Sequence, residues 1–205
     1  MRLALSFVSN GAKGEAAMAS SMLIRSGGLA AMVGGVTYAV SASLVGRGGV
    51  GTLRWSIVLF LLGMLAVIAA LHFLHRGRER YGNWGALASV AALVGVALTV
   101  GGYILVDFVI SLETLGTIVF LVGALVGTMG IIGLALATLN VGVLPQWAGG
   151  TLILGNPLLA VFISVVSYFG FFALGSWLVA SPWIVVGFAV FLAAGRRTER
   201  PSRVR

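Results

Sequence analysis

Long apolar runs with almost no charge constrain the fold of this chain more than any other feature. Six runs each approach or exceed about 20 residues, the length that a helix needs to cross a bilayer. Lipid offers no hydrogen bonds to the backbone, so only helices and closed barrels span it. Barrel strands alternate over segments of about ten residues, and these runs are continuous. The sequence therefore predicts an all-α, polytopic transmembrane helical bundle of about six spans, at residues 27–46, 55–74, 84–106, 115–139, 147–167 and 175–195.

The amino-acid composition leads to the same class. Hydrophobic residues make up 60% of the 205 residues and charged residues only 9%, against about 25% charged in a soluble domain. A soluble core could not bury this apolar excess, whereas a bilayer solvates it. The chain has no cysteine, which excludes disulfides, thiolate metal sites and cysteine nucleophiles.

The boundary between the last two predicted spans carries no charge to mark it. No Asp, Glu, Lys or Arg occurs between Trp147 and Gly195, a stretch too long for one span and about right for two. We place the turn near residues 168–174, because aromatic side chains cluster there and favour the membrane interface. A five-span arrangement stays open as the alternative.

The basic residues lie almost entirely on one side of a six-span arrangement. Eleven of the 13 are in a tail at 1–26, the loop after the second span or a basic tail at 196–205, and only Arg47 and Arg54 are on the other side. Cytoplasmic loops carry the excess of Lys and Arg. We therefore expect both termini in the cytoplasm, on either side of a domain at 27–195, in a bacterial plasma (inner) membrane. The N-terminal tail is expected to be flexible, with the true start at Met1, Met18 or Met22.

The net charge of +8 is best explained by topology and by contacts with anionic lipid. Nucleic-acid binding is not expected, since no basic helix interleaved with aromatic residues is present. The expected partners are the lipid bilayer and other membrane subunits, or a second copy of the chain.

Small residues at four-residue spacing predict close helix packing. Such spacing lets two helix backbones approach each other in lipid. Packing inside a monomer is the favoured interpretation, and dimerisation or docking to a partner subunit is the alternative. The residues concerned are Gly123, Gly127 and Gly130 in the fourth span and Gly85 and Ser89 in the third.

Two prolines fall inside predicted spans. Pro157 and Pro182 each remove a helix hydrogen bond and crowd the carbonyl four residues earlier, that of Ile153 or Leu178. A freed carbonyl in a membrane must find a partner inside the protein. Kinked helices without a ligand are the commoner outcome.

Transporters use such breaks to build a binding site near the middle of the membrane. The polar residues that would line it here are Asn156 and Ser181, each directly before a proline, and Thr128 in the fourth span. These three residues are the candidate ligand-binding set.

His72 and His75 lie three residues apart and share one helix face. Two imidazoles at this spacing suit a metal ion or a haem iron. No third ligand is evident nearby, however, and Arg76 and Arg78 follow directly. An interfacial pair at the lipid headgroups is the favoured alternative, and no cofactor is assigned.

Asp107 and Glu113 are the only acidic residues beside a predicted span, with no basic residue near them in the sequence. They bracket a short turn at 108–112, where water is accessible. We expect solvated loop carboxylates there, with cation binding or a partner contact as the alternative.

The stretch Asn140-Val-Gly-Val-Leu-Pro145-Gln-Trp147-Ala-Gly149 is the most distinctive in the chain. Together with Leu71-His72, Arg80-Tyr81-Gly82 and Arg25-Ser-Gly-Gly, it resembles a broad group of small multi-span bacterial membrane proteins of uncharacterised function. The resemblance implies a helical bundle in the plasma membrane and supplies no catalytic residues.

Three functions follow as hypotheses. The leading one is a non-enzymatic structural or accessory subunit of a larger membrane protein complex, because the spans are smooth, rich in small residues and lack a proton-carrying path of charges. The alternative is a small transporter or channel for an apolar or weakly polar solute. The third is a haem- or metal-binding membrane protein that uses the two histidines.

Overall fold

The structure is a computed structural model that describes residues 2–44, 50–76, 78–156, 159, 162 and 172–198. Its regular elements are all helical. In chain order they are α1 (Arg2–Ser43), α2 (Val50–His75), α3 (Gly82–Phe108), a 3₁₀ turn (Ile110–Leu112), α4 (Glu113–Val141), α5 (Gln146–Leu154) and α6 (Phe172–Thr198).

Five of these helices contain segments long and apolar enough to cross a membrane, which agrees with a membrane protein. The segments are Ser20–Ser43, Leu53–His75, Gly82–Phe108, Glu113–Val141 and Leu174–Arg196. They correspond to the first, second, third, fourth and sixth apolar runs of the sequence.

The fifth run does not form the continuous helix predicted for residues 147–167. α5 ends at Leu154, and Gly155 and Asn156 leave the helical path. The physical reason is the Asn-Pro pair, since a residue before proline disfavours the helical conformation. With nine residues, α5 is about 13.5 Å long, less than half of the hydrocarbon thickness. Of the turn predicted near residues 168–174, residues 168–171 lie outside the described residues, and residues 172–174 already belong to α6.

α1 begins earlier than its predicted span. Its backbone is helical from Arg2, so helix continues through the segment that the sequence predicts as a flexible tail. This segment lacks proline and contains strong helix formers such as Ala, Leu and Met. Its apolar part begins at Ser20.

Glycine pairs place α1 between two other helices. A Cβ atom on Gly27 would lie 2.5 Å from the carbonyl oxygen of Ala66 in α2, and one on Gly28 would lie 2.6 Å from that of Gly187 in α6. The pair recurs seven residues later, about two helical turns, at Gly34 and Gly35. One glycine stripe therefore packs on α2 and its neighbour on α6.

α3 and α4 form an antiparallel hairpin through a second glycine-lined contact. A Cβ atom on Gly123 would lie 2.5 Å from the backbone nitrogen of Thr99, and one on Gly95 would collide with the backbone of Gly127. Gly130 meets the backbone of Ala92 in the same way. Gly123, Gly127 and Gly130 thus lie against α3 of the same chain, which covers that face of α4.

The bundle has two chemically different ends. Arg25 approaches Gly195, and Arg78 and Arg196 line one cleft, so these arginines share what we call the basic end. At the opposite end Trp177 of α6 donates to the Ser43 hydroxyl of α1, at 3.2 Å.

Candidate functional site

Asn156 closes the end of α5. Its side-chain Nδ2 donates to the carbonyl of Ile153 at 2.7 Å, and its Oδ1 accepts a hydrogen bond from the backbone N–H of Leu159 at 2.9 Å. The second bond spans three residues, as in a helix N-cap. The Asn-Pro pair is therefore a break between two segments rather than a kink within one helix.

Trp183 of α6 holds this break from the other side. Its indole Nε1 donates to the carbonyl of Gly155 at 2.9 Å, and its side chain is only 1% exposed. A Cβ atom on Gly155 would lie 3.2 Å from Cβ of Pro182. The structure thus brings the two proline-bearing segments together. Sequence reasoning missed Gly155 and Trp183, although the tryptophan directly after Ser181-Pro182 was an available signal.

Ser181 in α6, like Asn156 at the end of α5, donates its side chain to the carbonyl three residues earlier. Pro182 lies inside the helix, and the Ser181 hydroxyl donates to the carbonyl of Leu178 at 3.3 Å. Leu178 carries the carbonyl that Pro182 frees. Asn156 and Ser181 therefore each bond to the carbonyl that the following proline is expected to free, which uses much of their polar capacity locally.

Thr128 lies on α4 and is buried. It shares a helix face with Ala135, seven residues later, whose carbonyl oxygen would lie 3.3 Å from a Cβ atom on Gly149 of α5. Asn156 likewise follows Gly149 by seven residues, of which the first five, as far as Leu154, are helical. Because α4 and α5 run antiparallel, Thr128 and Asn156 lie at a similar depth, on facing elements.

The two histidines form a polar clamp with the start of α3. His72 Nδ1 lies 3.1 Å from the Tyr81 hydroxyl, which also bonds to Ser89, and Ser89 donates to the Gly85 carbonyl at 3.0 Å. The His75 ring, fully buried, stacks on Tyr81 with ring centroids 5.5 Å apart. A Cβ atom on Gly85 would lie 2.5 Å from that aromatic ring. At the start of α3, Gly85 thus leaves room for the Tyr81 ring, and Ser89 forms a hydrogen bond with its hydroxyl.

The two histidines do not belong to a larger group of metal-ligating side chains in the described part of the chain. Among the described residues no group of three His, Cys, Asp or Glu side chains is close enough to hold an ion, and both imidazoles face Tyr81 instead. Burial raises the pKa of the Tyr81 phenol, while its hydrogen bond with Ser89 lowers it in part. The phenol is therefore protonated at neutral pH and joins α2 to α3 through its hydroxyl.

An ion pair lies at the opposite end of the bundle. Arg54 Nε is 3.9 Å from Asp107 Oδ2, and the two side chains are 45% and 25% exposed. Trp55 and Phe108, the next residue on each helix, bring their ring centroids to 5.2 Å. Asp107 has no basic neighbour in the sequence, but folding brings Arg54 of α2 beside it on α3 over a long sequence separation.

Two clefts open at the basic end. The first, of about 300 Å³, lies between the start of α5 and the last turns of α6, and it is lined by residues that include Arg78, Pro145, Trp147, Ala189, Leu192 and Arg196. The second, of about 490 Å³, lies beside the histidine clamp and includes His72, Arg76, Arg78 and Tyr81. Arg78 belongs to both.

No known protein family, curated protein or solved structure matches this chain. Function is therefore inferred from the geometry of the described residues. Three features of that geometry bear on function: the hydrogen-bonded helix break at the end of α5, the histidine–tyrosine clamp, and the clefts at the basic end.

Proposed function

We propose that this protein is a non-enzymatic transmembrane bundle that acts as a structural or accessory subunit of a larger membrane protein complex. The way its spans use their hydroxyl groups supports this proposal. Ser56, Thr99 and Thr138 each donate to a carbonyl of their own helix, at 2.7 to 2.9 Å. A hydroxyl that donates to a carbonyl of its own helix has its donor used locally, so it contributes less to a polar path for a solute.

The outward face of α3 is the observation that carries the proposal. Only 33% of the residues in its most apolar 18-residue segment are buried, against 44–50% in the corresponding segments of α1, α2, α4 and α6. Its exposed side chains follow one stripe, Leu87, Val90, Val94 and Leu98, which continues to Gly101, where a Cβ atom would meet nothing within 4 Å. The stripe then goes on to Ile104 and Phe108, which are also exposed on this face. The open space at Gly101 suits a partner helix that approaches closely at that point.

Site-specific photo-crosslinking tests this proposal in native membranes. A photoreactive amino acid at Val90, on the α3 stripe, should form a discrete protein adduct, and the same residue at Leu62, an exposed position of α2, serves as the matched control. Gentle purification followed by native mass spectrometry should then recover the adduct partner in fixed stoichiometry. A protein that runs alone, or crosslinks only to lipid from both positions, would overturn the proposal.

We further propose six membrane crossings with both termini in the cytoplasm of a bacterial cell. α5 begins at the basic end, whereas α6 begins at the opposite end, where Trp177 meets Ser43. The chain between them has to pass from one end to the other. The excess of arginine assigns the basic end to the cytoplasm.

Cysteine labelling tests this topology directly, since the chain has no cysteine of its own. Leu112→Cys, in the turn after α3, should react with an impermeant maleimide in intact cells. Asn83→Cys, at the start of α3, should react only after lysis. The reverse pattern would refute the assignment of the basic end.

A second candidate function, a small transporter or channel, is favoured by the break in α5. Interrupted helices near the middle of the membrane build solute sites in transporters, and Thr128 lies at a similar depth on the facing helix. A solute screen by thermal shift tests it with Thr128→Val, which removes the hydroxyl and keeps the side-chain shape. A solute that stabilises the original protein but not this variant would support transport. If no solute does so, the accessory-subunit function stands alone.

A further inference from the structure

The cleft between α5 and α6 gathers positive charge from separate parts of the chain. Arg196 comes from the last turns of α6, and Arg78 comes from the loop between α2 and α3. Two turns of that loop fix Arg78: its backbone N–H donates to His75 at 3.0 Å, and its carbonyl accepts from Tyr81 at 3.0 Å. The backbone of Arg78 is therefore held between His75 and Tyr81, the two residues whose rings stack in the histidine–tyrosine clamp.

No carboxylate neutralises these two arginines within the described part of the chain. The ion pair found there joins Arg54 and Asp107, at the opposite end. Guanidinium groups bind phosphate through parallel hydrogen bonds and are the usual phosphate-recognising groups of proteins. The cleft, of about 300 Å³, is large enough to admit a phosphate headgroup.

The other walls of the cleft are apolar and lead toward the lipid-facing surface. Ala189 and Leu192 of α6 line it, and Leu192 stands one turn from the exposed Phe188 on the same face of the helix. Trp147 lies at its rim with half of its surface exposed, as an interfacial anchor does. A ligand that fits must be anionic at one end and apolar at the other.

From this juxtaposition we propose that the cleft between Arg78, Arg196 and Trp147 binds the phosphate headgroup of an anionic phospholipid. One acyl chain lies along the stripe formed by Leu192 and Phe188 on α6. The bound lipid fastens the end of α6 to the α2–α3 loop and to the start of α5, three segments that are distant in sequence.

Native mass spectrometry of the full-length chain in detergent tests the site. The protein is titrated separately with phosphatidylglycerol, with zwitterionic phosphatidylcholine and with inorganic phosphate. Phosphatidylglycerol should bind at least about tenfold more tightly than phosphatidylcholine. Both phosphates can accept hydrogen bonds from the arginines, but the choline ammonium places a further positive charge beside the two guanidinium groups, and like charges repel. Arg196→Gln should remove that preference, and Arg196→Lys, which keeps the charge without the planar fork, should retain part of it.

Two matched arginine variants separate a built site from general positive charge. Arg80→Gln changes the same loop outside the cleft, and Arg76→Gln changes the neighbouring cleft only. Each should weaken phosphatidylglycerol binding by less than about fivefold, the contribution of one cation near an anionic surface. Equal losses in Arg196→Gln and Arg80→Gln would overturn the site. Displacement of the lipid by millimolar inorganic phosphate would assign the cleft to a free anion instead and overturn the lipid proposal.

Discussion

Replacing Gly123 by alanine tests whether the α3–α4 contact depends on the absence of a side chain. The added Cβ atom would lie 2.5 Å from the backbone nitrogen of Thr99 and 2.8 Å from the carbonyl oxygen of Gly95, whereas ordinary contacts begin at 3.4 Å. Both obstacles are backbone atoms of α3, so no side-chain rotation relieves the collision. The helices must separate by about 0.9 Å, a gap that forfeits a quarter to a half of each neighbouring dispersion contact.

The expected loss follows from two opposing contributions. Overpacking of this kind costs about 1–3 kcal/mol, and a rigid backbone collision lies at the upper end. Alanine recovers about 1 kcal/mol through its higher helix propensity. We therefore expect the free energy of unfolding to fall by about 2 kcal/mol, which corresponds to about 4–8 °C in melting temperature for a chain of this size.

Thermal unfolding in detergent, followed by circular dichroism, measures this effect. Gly101→Ala is the matched control, because it adds the same methyl group to α3 at a point where nothing lies within 4 Å. The control should melt at the original temperature or slightly above it. If both variants melt together, the close packing of α3 on α4 is not what stabilises the hairpin.

Three further experiments probe individual side-chain contacts. Trp183→Phe removes the indole donor to the end of α5 and should lower the free energy of unfolding by about 1–3 kcal/mol, because a buried carbonyl loses its partner. The same change at the more exposed Trp177 should cost less in the same thermal melt. Equal losses would contradict the role of Trp183 in completing the end of α5. Tyr81→Phe and Ser89→Ala each break one hydrogen-bond network, so a double-mutant cycle should show losses that are not additive; strict additivity would mean that the two hydroxyls act independently. Asp107→Asn removes a partly exposed ion pair with a long N–O distance of 3.9 Å and should change stability by less than about 1 kcal/mol. A larger loss in chemical denaturation would contradict this weak contribution.

The membrane class and most helix positions follow from local sequence alone. Five apolar runs form helices that are long and apolar enough to cross a bilayer, and most of their boundaries are predicted to within a few residues. The largest difference is at the start of α1. Length and hydropathy determine which segments can cross a bilayer. The glycine spacing at Gly123 and Gly127 likewise marks a close helix contact before any partner is known. Hydropathy and glycine spacing are properties of one segment, so the sequence of that segment is enough to predict them.

The break at residues 155–156 was detectable in part. The Asn-Pro pair signals a disturbed helix, but the number of residues on each side also allows a kinked span. Whether such a pair bends a helix or ends it depends on what satisfies the freed backbone groups. Here Trp183 completes that end from another helix, and its position relative to Gly155 is set by packing rather than by local preference.

Partners that are far apart in sequence were decided by the tertiary structure. Arg54 meets Asp107, the Tyr81 hydroxyl links His72 to Ser89, and Arg78 joins Arg196 in one cleft. Hydropathy determines which segments can enter the membrane, but it does not determine which helix lies next to which. That choice rests on the shape of glycine-lined faces and on the few polar groups at the helix ends, and it exists only when all the helices are assembled.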